Sequence, residues 1–65
     1  MNTTKLEHWF TQHLDSYRSD PQLGDQWRTY LFEDGYGECG GDWNSDAQKD
    51  EAIEIMERVI RTSAG

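Results

Sequence analysis

Positive charge is scarce in this chain: six lysines and arginines stand against thirteen aspartates and glutamates, a formal net charge of −7 at pH 7. Each phosphate that such a chain approached would add repulsion, where a basic protein would release counterions, so direct contact with nucleic acid or an anionic membrane is not expected. Long hydrophobic runs are also missing. No apolar stretch nears the roughly 18 residues that a membrane span needs, and the amino-terminal MNTTKLEHWF lacks the apolar core of a signal peptide. The single cysteine, Cys39, has no partner for an intrachain disulfide, which fits a reducing compartment, so the expected location is the cytoplasm.

What is present is a small chain with strongly periodic apolar residues. Its 65 residues make one domain, and at that size a chain buries only about 60% of its unfolded surface, so homodimerisation is a natural supplement to a thin core. Leu6, Trp9, Phe10, His13, Leu14 and Tyr17 follow the spacing of one helical face and predict a first helix over Lys5 to Arg18. Thr4 and Glu7 form a capping-box pattern at its start. His13 falls on the edge of this stripe and His8 on the solvent side.

Asp20-Pro21 suits the start of a second helix, with Leu23, Trp27, Tyr30 and Leu31 on one face. The alternative reads Trp27 to Phe32 as a strand turning at Asp34-Gly35 into a return strand, Tyr36 to Trp43. The non-alternating apolar residues and the glycines of that return strand favour helix. Four glycines between Asp34 and Asn44 predict a loop. A capping box, Ser45 with Gln48, then opens a third helix from Asp46 to Thr62, with Ala52, Ile53, Met56, Val59 and Ile60 as its apolar stripe and Gly65 at its end. The expected fold is therefore mostly α, a three-helix domain with an acidic, glycine-rich loop between helices 2 and 3; the α+β alternative is helix, β-hairpin, helix.

The polar residues offer only fragments of catalytic and metal-binding patterns. Asp42-Trp43-Asn44-Ser45-Asp46 begins like an EF-hand calcium loop, but Ala47 replaces the turn glycine, Lys49 stands where an apolar residue is usual, and Ile53 replaces the closing glutamate. Cys39 with His8 or His13 could make a nucleophile and base, yet Glu38 and Asp42 beside the thiol disfavour its thiolate. Three Cys and His residues in unrelated positions do not make a zinc site. No catalytic residue, metal or cofactor is expected, and the protein is read as a non-enzyme.

The acid is concentrated. From Glu33 to Glu57 nine carboxylates face one cation, Lys49, and Asp34, Glu38, Asp42, Asp46, Asp50 and Glu54 recur every fourth residue, a repulsive spacing on a helix. Part of this is ordinary helix physics: Asp46 and Asp50 complement the amino-terminal dipole of helix 3, and Glu54 to Arg58 and Glu57 to Arg61 are attractive pairs. Upstream, Glu33, Asp34, Glu38 and Asp42 have no nearby cation in sequence, while Tyr36 and Trp43 among them could anchor in a basic protein groove. The candidate partner-binding residues are thus Glu33, Asp34, Tyr36, Glu38, Asp42, Trp43, Asp46, Asp50 and Glu54. The last three would form a column at roughly 6 Å spacing, close to that of phosphates along a strand.

In length, pI and the acidic run Glu33 to Glu57, the chain resembles the small acidic DNA-mimic inhibitors of phages and mobile elements, among them anti-CRISPR and anti-restriction proteins. That resemblance implies a stoichiometric inhibitor, in the host cytoplasm if phage-encoded. It would occupy the basic nucleic-acid or PAM-reading surface of a CRISPR effector or other nucleic-acid enzyme. The other reading is a small regulatory or antitoxin-like assembly subunit whose apolar helix faces mediate oligomerisation.

Overall fold

In the computed structural model, which describes residues 1–63, the first helix starts on Asn2. Its Oδ1 accepts the Lys5 amide at 3.1 Å, and α1 runs Thr3–Arg18. Asn2 thus replaces the expected Thr4–Glu7 capping box. An asparagine two residues ahead, with its shorter reach to the backbone, captures the amide of the first turn and draws Thr3 and Thr4 into the helix. Ser19 closes α1, its amide and hydroxyl both donating to the Asp15 carbonyl, at 3.1 and 2.6 Å.

The second helix starts later than the sequence predicts. Asp20 does not cap it; its Oδ1 accepts the Gln22 amide at 2.9 Å, and Pro21 sits in the resulting turn. Gly24, at φ +54°, turns the chain into a single 3-10 turn, Gly24–Gln26, and α2 follows as Trp27–Glu38. Of the face expected from Leu23, Trp27, Tyr30 and Leu31, only Leu31 is buried, and Tyr30 is exposed.

The carboxyl-terminal half of α2 is the larger correction: Asp34 to Glu38, expected as loop, is helical, and no strand occurs among the described residues. The reason is packing. A Cβ placed on Gly35 would lie 2.7 Å from Phe10 Cε1 and 2.7 Å from Trp9 Cε3. Only glycine lets α2 approach α1 that closely, and the contact offsets the roughly 0.5–1 kcal/mol that glycine costs inside a helix. Gly40, at φ +74°, then ends α2 in a Schellman motif: the Gly41 amide donates to the Tyr36 carbonyl at 2.8 Å and the Gly40 amide to that of Gly37 at 3.2 Å.

Ser45 caps α3, Asp46–Ser63, its Oγ accepting the Gln48 amide at 3.2 Å. Gln48 does not reach back to Ser45; its Oε1 takes the Asp42 amide at 3.0 Å. The buried stripe is Ala52, Ile55, Met56, Val59 and Ile60, with Ile53 outside it. The expected helix end at Gly65 lies outside the described residues.

α1 is the common partner of α2 and α3, which touch each other much less. Leu6, Phe10 and Leu14 of α1 meet Leu31, Tyr36 and Cys39 on one side and the α3 stripe on the other. The expected Glu54–Arg58 and Glu57–Arg61 pairs are not among the ion pairs of the described residues. Arg58 reaches Glu7 at 3.0 Å and Arg28 reaches Glu57 at 3.5 Å, tying α3 to α1 and to α2. No described helix is long and apolar enough to cross a membrane.

Candidate partner-binding groove

The flank of α1 that faces α2 carries rings at every fourth residue. Trp9 stacks on His13 with centroids 4.0 Å apart and planes at 16°, and the Tyr17 ring lies 5.9 Å from that of Trp9. His13 Nδ1 is fixed against the Trp9 carbonyl at 2.9 Å. Because α2 is helical through Glu38, it brings Glu33, Asp34 and Glu38 opposite these rings. Together Trp9, Tyr17, Glu33, Asp34, Gly37 and Glu38 line a shallow open groove of about 350 Å³.

The groove is negative, and its electrostatics register on its own tyrosine. The Tyr17 hydroxyl donates to Asp34 Oδ2 at 2.5 Å. Its pKa is pushed up to about 12, by burial first, then by that hydrogen bond and by the charges of Asp34 and Glu38. No described cation lies within ion-pair distance of Glu33, Asp34 or Glu38. Arg18 is engaged by Asp15 at 2.7 Å, Arg28 by Glu57 and Arg58 by Glu7. Glu33, Asp34 and Glu38 thus have no ion-pair partner among the described residues.

Tyr36 is not available to a partner. It is fully buried and the largest side chain of the core, stacked on Phe32 with centroids 5.1 Å apart. Its hydroxyl donates to the Asp42 carbonyl at 2.7 Å, and desolvation raises its pKa, helped by the Asp42 charge. The ring lies where a Cβ on Gly41 would stand, 2.5 Å away. Glycine-rich sequence here serves close packing around an aromatic, not chain flexibility.

Trp43 packs edge-on against Tyr36 and Phe32, at 4.7 and 6.3 Å between centroids, and remains 47% exposed. Asp42 is exposed but structurally occupied. Its Oδ1 accepts the Asn44 amide at 2.9 Å and its carbonyl also takes the Ser45 amide at 3.0 Å. The calcium-like segment is thus an Asx turn leading into a helix cap, and the described residues contain no metal-binding cluster.

Asp46, Asp50 and Glu54 are exposed on α3. Glu54 lines the seam between α3 and the start of α1 with Arg58, away from the α1–α2 groove. The nine expected residues hence divide into a groove cluster, a loop closure and an α3 column. Cys39 is buried, and desolvation raises its pKa, with Lys5 opposing and Glu38 adding; that favours an inert thiol.

Sequence reasoning set Trp9 and Tyr17 on the apolar stripe, and both are indeed half-buried against the core; what it missed is that their outer faces also line the groove. The signal was available: 9, 13 and 17 form an i, i+4, i+8 column of rings at the stripe's edge. No protein-family model matches the chain, and neither a curated protein nor a solved structure matches it.

Proposed function

We propose that this protein is a non-catalytic binding module that seats the acidic α1–α2 groove in a basic surface of a partner protein. The partner surface is of the kind that ordinarily holds nucleic acid, as in a CRISPR effector or another nucleic-acid enzyme, and the module acts by occupying it. The observation that carries this reading is the gathering of Glu33, Asp34 and Glu38 beside Trp9 and Tyr17 with no cation in ion-pair reach among the described residues. Three like charges held together raise the energy of the isolated protein, and a basic partner removes that cost on docking. The rings supply flat apolar area and faces on which arginine or lysine side chains stack. The exposed column Asp46, Asp50 and Glu54 adds to the steering field, with regular spacing along α3.

The test compares the wild-type chain with Glu33→Gln, Asp34→Asn, Glu38→Gln as immobilised bait for proteins of its own host, after nuclease treatment. The wild type should retain a basic nucleic-acid-binding protein and compete with that protein's nucleic acid, with association slowed as salt rises. The neutralised triple variant should associate about tenfold or more slowly. Equal capture and equal competition by both forms would refute the reading.

A further inference from the structure

The α3 stripe holds more apolar surface than the core takes up. Ile53, which the sequence places in the stripe, stands 42% exposed. With Arg28, Thr29, Phe32 and Met56 it lines an open, mostly apolar hollow of about 210 Å³ along the α2–α3 seam. Trp43, edge-on to Phe32, continues the patch. Because α2 and α3 lean on α1 and little on each other, this seam is the side of the bundle left without a covering layer.

We propose that a second copy of this chain covers the α2–α3 seam, making a homodimer through Phe32, Ile53 and Trp43 over a floor formed by the buried Met56. Two copies of net charge −7 repel over most of their surface, so they meet most readily where cations offset part of the acid. This face carries both signs, with Asp50 and Glu57 on the Ile53 side of α3. Arg28 lines it, and Lys49, four residues ahead of Ile53, shares its side of α3. Glu57 stands beside Arg28 at 3.5 Å. A two-fold contact must be complementary to itself, and a rim with both signs allows Arg28 of each copy to pair with Glu57 of the other.

Sedimentation equilibrium of the full chain from micromolar to millimolar concentration tests this. The mass should rise from 7.6 kDa to twice that value, and added salt should strengthen association by screening the like net charges. Salt acts in the opposite sense on docking to a basic partner, so the two proposals fail separately. Ile53→Asp should weaken the dimer about tenfold or more with helicity unchanged. Arg28→Glu should weaken it too, and pairing that change with Glu57→Arg should restore it. A wild-type dilution series followed by amide chemical shifts needs no variant to fold: changes should centre on Phe32, Trp43 and Ile53. A monomer mass at millimolar concentration, a dimer indifferent to Ile53→Asp, or shifts centred elsewhere would overturn the proposal.

Discussion

Gly35→Ala separates the two influences acting on α2, helix propensity and helix-to-helix distance. Alanine is favoured over glycine inside a helix by about 1 kcal/mol, so an isolated α2 would gain. In the folded chain the new methyl would stand 2.7 Å from ring carbons of both Phe10 and Trp9, about 1 Å inside ordinary carbon contact. Phe10 has no exposed surface and cannot swing away, so α1 and α2 must separate. Overpacking of this kind costs about 1–3 kcal/mol; with two rings struck at once the upper part applies, for a net loss of about 1–2 kcal/mol after the propensity gain. Gly37→Ala is the control: same helix, two residues on, with its nearest contact at 3.9 Å, the Trp43 ring. It should gain about 0.5–1 kcal/mol. Thermal melts followed by circular dichroism should place Gly35→Ala about 5–15 °C below wild type and Gly37→Ala a few degrees above it. A Gly35→Ala protein as stable as wild type, or a Gly37→Ala protein that falls with it, would refute the close-packing account.

Two further expectations concern the tyrosines. Tyr17 titrates near 12 in the folded chain against an ordinary value of 10.0, so its contribution to stability is complete below pH 10 and lost as pH rises from there toward 12; urea melts across that range should show a shallower alkaline decline for Tyr17→Phe, and identical slopes would contradict the assignment. Tyr36→Phe keeps the ring and removes the hydroxyl bound to the Asp42 carbonyl, so it should cost about 0.5–1.5 kcal/mol in chemical denaturation, and an unchanged midpoint would show that the bond adds nothing.

The helices of this protein were legible where one period dominated. Leu6, Phe10 and Leu14 are the buried α1 residues the spacing predicts, and the third helix begins at Asp46 behind Ser45 as its cap pattern indicates. Ile53 was misplaced because it and Ile55 each flank the line through Ala52, Met56, Val59 and Ile60, and only the packed structure decides between them. The extent of α2 was hidden for a different reason. Asp34-Gly35 and the following glycines carry the local signature of a turn, and what overrides it is a tertiary fact, the Phe10 and Trp9 rings pressed onto Gly35. The same override moved Tyr36 from a proposed anchor to the core. The groove cluster was half legible: its carboxylates could be read from charge, but its aromatic wall could not be separated from the core stripe without knowing which flank of α1 receives α2.

The Tyr36 ring, held between Phe32 and Gly41 with its hydroxyl on the Asp42 backbone, makes the turn between α2 and α3 part of the core itself. A chain this short cannot open that turn and keep its largest buried side chain in place, so turn and core melt as one unit. The acidic segment that begins like a tether is therefore set in shape before any encounter. A partner of the kind proposed would meet it as a finished surface and forfeit almost no chain entropy in ordering it, leaving more of the interaction energy to appear as affinity.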